Sequence, residues 1–185
     1  MQVGFYFDKT RCTGCGACQV ACKDWNDIPA GPEKWMRMVY TERGAAANIF
    51  VGYLAVPCYQ CLEPVCIPAC PVEAITKREK DGIVFIDREA CLGNEECDEK
   101  CFKACPYDAP QFGPETGAKM AKCDFCAERW EQNKLPVCVE ACPTRVFDAG
   151  PIEELMSKYG DIKEAEGFKY SKRTKPAVVF KPKTR

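Results

Sequence analysis

The chain has 185 residues, 26 Lys and Arg against 27 Asp and Glu, sixteen cysteines and no histidine. That length allows one large or two small domains, and a formal charge of −1 argues against a general nucleic-acid binder. Without histidine, Rieske centres, His-ligated haem, imidazole-bound zinc and His-based acid–base catalysis are excluded within the chain.

Val3-Gly-Phe-Tyr-Phe7 is aromatic and β-branched and predicts a short strand. The first cysteine run follows, Cys12-x2-Cys15-x2-Cys18-x3-Cys22. Pro29, Gly31 and Pro32 mark a loop. Trp35 to Thr41 and Asn48 to Ala55 both have strand character, and Gly44-Ala-Ala-Ala47 between them predicts a β-hairpin. The longest apolar stretch, Ile49 to Val56, is far shorter than the roughly 18 residues of a spanning helix.

The second cysteine group is Cys58-x2-Cys61-x4-Cys66-x3-Cys70-Pro71. Val72 to Thr76 and Ile83 to Asp87 then read as strands, joined by Asp81-Gly82, a strong hairpin signal. The third group is Cys91, Cys97, Cys101 and Cys105-Pro106. Asp108 to Phe112 and Lys119 to Lys122 are expected to repeat the hairpin. The fourth group is Cys123-x2-Cys126-x11-Cys138-x3-Cys142-Pro143, with Arg145 to Asp148 as a strand after it. Pro151 to Tyr159 predicts a helix, with proline at its start, acids in its first turn and Gly160 at its stop. Lys169 to Arg185 is basic around Ala177-Val-Val-Phe180. It reads either as a solvated tail or as an arm lying on a larger subunit.

One unit therefore recurs: strand, cysteine run, Cys-Pro, strand. Disulfides are the first reading to weigh for so many cysteines. The start, Met1 to Asp8, has no basic n-region or apolar h-region, and no twin-arginine pair precedes the first run. No export signal is expected, so the compartment expected is the reducing cytoplasm. The C-x2-C spacings also suit poorly staples that close long loops. Zinc knuckles use two C-x2-C pairs separated by a loop. Cys123-x2-Cys126 alone fits that pattern, but the first run and the three Cys-Pro pairs do not. The first run has the iron–sulfur spacing of bacterial ferredoxins, whose fourth cysteine serves a second cluster. Proline after cysteine lacks an N–H and fixes φ, which turns the chain away from such a cluster.

On these four groups, the chain to about Tyr159 resembles the four-cluster ferredoxin-like electron-transfer subunits of molybdenum and tungsten pterin oxidoreductases. The resemblance implies an α+β fold of two tandem bacterial-ferredoxin-like modules with crossed cysteine pairing, an inserted β-hairpin and a C-terminal extension. Residues 1–22 with 113–150 would form one module and 58–112 the other. Residues 23–57 would be the inserted hairpin, and 151–185 a helix and basic docking tail. It also implies four 4Fe–4S clusters. Cys12, Cys15, Cys18 and Cys142 would hold one, and Cys22, Cys123, Cys126 and Cys138 the next. Cys58, Cys61, Cys66 and Cys105 would hold a third, and Cys70, Cys91, Cys97 and Cys101 a fourth. The third group departs from the family spacing, with Asn94 where a cysteine is usual and acids at Glu95, Glu96, Asp98 and Glu99. The Cys70 cluster is therefore the one in question, and negative charge beside it would lower its potential.

Among family members the chain looks like the small subunit of cytoplasmic tungsten enzymes, such as class II benzoyl-CoA reductase or the aldehyde oxidoreductases. The function expected is relay of single electrons to or from a large catalytic tungsten or molybdenum pterin subunit in anaerobic metabolism, with room for further electron-transfer subunits. No nucleotide-binding glycine motif, P-loop or Ser–His or Cys–His pair is present, so substrate chemistry is expected in the partner. Neither nucleic acid nor direct membrane insertion is expected. A free-standing polyferredoxin and a zinc-dependent interaction module are the competing readings. Trp25, Trp35 and Tyr40 either cover the hairpin's core or face the partner.

Overall fold

A computed structural model describes residues 1–184. Its main sheet is small and built from the two ends of the chain. Strand β1 (Val3–Asp8) lies between β6 (Phe147–Pro151), antiparallel, and β7 (Val178–Lys181), parallel. Phe5 pairs with Ala149 on one side and Val178 on the other. Every residue of β1 is buried, which explains its unbroken apolar run: a strand covered on both faces cannot alternate. Phe5 and Phe7 pack on Phe125 and Phe147. On the opposite face Tyr6 stacks on Tyr159, with centroids 3.7 Å apart. Tyr159 ends helix α7 (Ile152–Tyr159), which begins after Pro151 as expected and buries Leu155 against Val179. The Tyr159 hydroxyl donates to Asp148 at 2.7 Å and Lys158 donates to the same carboxylate at 2.9 Å, tying α7 to β6.

The expected hairpin is present as β2 (Arg37–Arg43) and β3 (Phe50–Val56), joined through a single 3-10 turn at Ala46–Asn48. Met36, Leu54, Ala55 and Val56 join the main core. The second hairpin pairs β4 (Ile75–Lys77) with β5 (Val84–Ile86). Its turn is held by Asp81, whose carboxylate accepts from Arg78 and from the Ile83 N–H. Gly82 there has φ +74°, a conformation glycine adopts at no steric cost.

Three elements differ from expectation. The third hairpin shrinks to one bridge between Gln111 and Ala121, because Pro110 cannot donate and Pro114 interrupts the return. The strand after the last Cys-Pro starts two residues late. Arg145 is left-handed at φ +51°, so residues 145–146 belong to the turn. The 169–184 segment is not a solvated tail: Pro176 to Phe180 are buried inside this chain, and β7 supplies the second edge that β1 needs. Arg185 lies outside the described residues. Among the described residues no helix is long and apolar enough to cross a membrane.

Trp35 packs partly buried against the core. Tyr40 is exposed beside Tyr53, with ring centroids 5.5 Å apart, and Trp25 is exposed under the Arg129 guanidinium at 4.9 Å.

Candidate functional site

The cysteines sit on short helices and tight loops whose shapes follow from the residues between them. Gly14 and Gly16 are both left-handed, at φ +71° and +75°, so the first loop curls before helix α1 (Ala17–Trp25) begins. Cys18 and Cys22 lie one turn apart on the same face of α1, and both are buried. The Cys123–Cys126 loop is closed by Asp124, whose carboxylate accepts the Cys126 N–H at 2.9 Å while Phe125 and Cys126 turn left-handed.

Two of the three Cys-Pro pairs act alike. Helix α2 (Cys66–Ala69) stops at Cys70, and α4 (Lys100–Ala104), the first helix after α3 (Asn94–Cys97), stops at Cys105. Cys70 has φ −79°, ψ 119° and Cys105 has φ −81°, ψ 117°. The following proline disfavours helix at the residue before it, so each of these cysteines is swung off its helix axis in the same way. Helix α5 (Ala127–Glu131) and helix α6 (Val137–Glu140) complete the fourth group, with Cys138 buried on α6 against α1.

All sixteen cysteines are free thiols. Among the described residues no three Cys, Asp or Glu side chains converge on a point fit for a single metal ion. They ring spaces instead. Cys58, Cys61, Cys66 and Cys105 line one of them. Cys70, Cys91, Cys97 and Cys101 line another, with Ile75, Ile86, Phe112 and Met120 as apolar walls. In the other half, the thiols acting most on buried Cys18 are Cys12 and Cys142. Those acting on Cys138 are Cys126, Cys22 and then Cys18. Cys142 therefore lies near Cys12 and Cys18, and Cys22 near Cys126 and Cys138.

Asn94 does not line the Cys70 space. It opens α3, and its amide donates to the Glu115 carbonyl at 3.3 Å. Cys97, three residues on, lines it instead, while Glu95, Glu96 and Asp98 point to solvent. Left-handed Asp98 and Glu99, at φ 53° and 49°, take up the extra loop length before Cys101.

Ten of the sixteen thiols are buried. Burial pushes Cys18, Cys22, Cys66 and Cys101 up to about 12, with neighbouring thiols adding to it, and Cys126 to about 11. Burial also drives Cys123 and Cys138 up. Cys142 differs: burial raises it, but the N–H of Val146, Thr144 and Arg145 outweigh that and hold it below the ordinary thiol value. Thiolates in such surroundings need a cation to offset desolvation, so loading iron here releases protons. Several sulfurs already accept N–H groups: Cys142 from Val146 and Cys91 from Met120, both at 3.5 Å, and Cys123 from Phe125 at 3.4 Å. Such bonds tune clusters bound to thiolate. The donor set and the spaces it rings fit 4Fe–4S groups.

The inserted hairpin is part of the first site. Met38 touches the Cys18 sulfur at 3.8 Å, and the Tyr53 ring lies against Gly14. A Cβ on Gly14 would sit 2.5 Å from that ring in a left-handed backbone. Gly14→Ala is expected to cost about 1–2 kcal/mol. Anaerobic urea titration of the iron-replete protein checks this, and an unchanged midpoint would mean that the Tyr53 ring and the left-handed backbone do not demand glycine at position 14. The buried polar residues Lys9, Gln60 and Lys122 had no periodic or motif signal in the sequence.

Comparison with known proteins supports the chemistry. A family described as 4Fe–4S dicluster domain matches residues 49–152, and a second of the same description matches 11–74. The B subunit of anaerobic dimethyl sulfoxide reductase from Escherichia coli (strain K12) is 42% identical over 190 residues, covering 98% of this protein and 89% of that one. The Haemophilus influenzae protein of the same name is 40% identical over 191 residues, with the same coverage. Thiosulfate reductase electron transfer subunit PhsB of Salmonella typhi is 36% identical over 149 residues, covering 80% of this protein and 74% of its own length. With sixteen cysteines fitting four 4Fe–4S clusters, this protein belongs to the 4Fe–4S dicluster-domain family, as an iron–sulfur electron-transfer subunit of an oxidoreductase.

Proposed function

We propose that this chain relays single electrons through four 4Fe–4S clusters to or from a catalytic molybdenum or tungsten pterin subunit. In that reading Cys12, Cys15, Cys18 and Cys142 hold one cluster, and Cys22, Cys123, Cys126 and Cys138 the next. Cys58, Cys61, Cys66 and Cys105 hold the third, and Cys70, Cys91, Cys97 and Cys101 the fourth. What supports it is the match to two 4Fe–4S dicluster families together with sixteen free thiols, eight of which line two spaces in fours. Each cluster, when bound, accepts and returns one electron. The chain holds the clusters near one another, keeps water from the buried thiolates and sets the charge around each.

The relatives favour a partner of the sulfoxide- or thiosulfate-reductase kind. The benzoyl-CoA reductase resemblance draws no support from them. A cytoplasmic location belongs to the proposal, supported by the reducing conditions that free thiols need.

Metal analysis tests the core of this reading. The anaerobically purified protein is expected to hold about sixteen iron atoms with matching sulfide and no zinc. About twelve would remove one cluster, and zinc in place of iron would make the chain an interaction module. Gel filtration of native extract separates a docked relay from a free polyferredoxin: the chain should co-elute with a large molybdenum- or tungsten-containing subunit.

A further inference from the structure

We propose that the ammonium group of Lys122 is a positioning residue for charge in the relay. It places one buried positive charge between the group of Cys58, Cys61, Cys66 and Cys105 and the group of Cys22, Cys123, Cys126 and Cys138, and so favours the reduced state of both. The inference rests on the relay reading above.

Lys122 is 2% exposed. Its Nζ donates to the carbonyl of Val84 and, at 3.1 Å, to that of Cys123. Its side chain also lines the space ringed by Cys58, Cys61, Cys66 and Cys105. It therefore touches the backbone of one ligand group and the wall of the other. Among the described residues none of the ion pairs includes Lys122. A lysine this deeply buried requires a counter-charge, and carbonyl oxygens supply only part of it. A 4Fe–4S group on four thiolates is anionic, and one added electron makes it more so, with no bond in the protein made or broken.

The plainer role for Lys122 is to stitch two backbone segments. A neutral side chain already does that. Gln60, fully buried, donates from Nε2 to the same Cys123 carbonyl at 2.9 Å and accepts the Val84 N–H on Oε1 at 2.8 Å. A second bridge between the same two residues has no need of a charge. Other lysines also cap ligand carbonyls, Lys77 on Cys61 and Lys119 on Cys91, but both are only half-buried. Solvent screens their charge far more than that of Lys122.

The test is potentiometric titration, followed by EPR, of the iron-replete protein and three variants. Lys122→Gln keeps donors without charge, Lys122→Met keeps length alone, and Lys122→Arg keeps the charge. Both neutral variants are expected to lower the potentials, most for the cluster of Cys58, Cys61, Cys66 and Cys105. At a fixed ambient potential its reduced-to-oxidised ratio should fall about tenfold, equivalent to about 59 mV for a one-electron couple. Lys122→Arg should restore it. Unmoved potentials in iron-replete neutral variants overturn the proposal, as does an arginine variant shifted as far as they are. Loss of iron by both neutral variants with the arginine variant replete would make the residue structural and overturn it too. A wild-type protein without its full iron fails the relay reading first, before any variant is titrated.

Discussion

Cys142→Ala is expected to remove one cluster of four, and it should be the cluster of Cys12, Cys15 and Cys18. Iron should fall from about sixteen to about twelve atoms. The EPR signals of the remaining clusters should persist, and stability should drop by several kcal/mol, since metal–ligand energy is folding energy here. The size of the effect follows from where Cys142 stands. It leaves α6 through a Cys-Pro turn, sits among backbone N–H groups that favour its thiolate, and lies beside Cys12 and Cys18, which come from the opposite end of the chain. Cys22→Ala should act on the other partnership, removing the cluster of Cys123, Cys126 and Cys138. Iron and sulfide analysis with EPR on both variants decides the pairing. If Cys142→Ala left the first cluster's signal intact, the crossed assignment would be wrong.

Removing β7 is expected to be as damaging, although β7 carries no cysteine. Truncation after Lys175 deletes four strand residues and uncovers one edge of β1 from Phe5 to Asp8. Val178, Val179 and Phe180 are each at most 1% exposed, and Phe180 packs on Phe168 with centroids 4.9 Å apart. The milder Phe180→Ala should by itself cost about 3–5 kcal/mol. The truncated chain is expected to be found mainly insoluble, or soluble with depleted iron. Anaerobic urea titration of Phe180→Ala and iron analysis of the truncation check these outcomes. A truncated protein with full iron and wild-type stability would mean that β7 only decorates the sheet.

Much of this was legible in the sequence, because the cysteines dictate local geometry. The first run announces a tightly wound ligand loop, and each Cys-Pro announces a turn of the chain away from its cysteine. The β2–β3 and β4–β5 hairpins were signalled by short-range turn chemistry, Gly44 in one and Asp81-Gly82 in the other. What stayed hidden depends on long-range pairing. Ala177-Val-Val-Phe180 is too short to declare a partner, and a parallel neighbour about 170 residues away leaves no local mark. The Gln111–Ala121 region has the residues of a hairpin, but Pro110 removes a donor that a longer ladder would need. Lys122 and Gln60 are ordinary polar letters in the sequence, and only burial reveals them. At Cys97 the irregular spacing raised a doubt that the left-handed Asp98 and Glu99 resolve, since they bring Cys97 and Cys101 to the same space.

The placement of β1 also governs the order of biogenesis. On the ribosome β1 and the first cysteine run emerge before any of their partners. They must wait for Cys142, β6 and finally β7 to be synthesised. At about 5–20 residues per second that wait is on the order of 10 s, during which an apolar strand and reactive thiols stay uncovered. The group of Cys58, Cys61, Cys66 and Cys105 and that of Cys70, Cys91, Cys97 and Cys101, by contrast, each close over a span of fewer than 50 residues and can be loaded early. A nascent polypeptide halted before Cys142 is therefore expected to acquire these two groups first. With the proposed pairing, the first site is expected to take up iron and sulfide only once Cys142 has been synthesised.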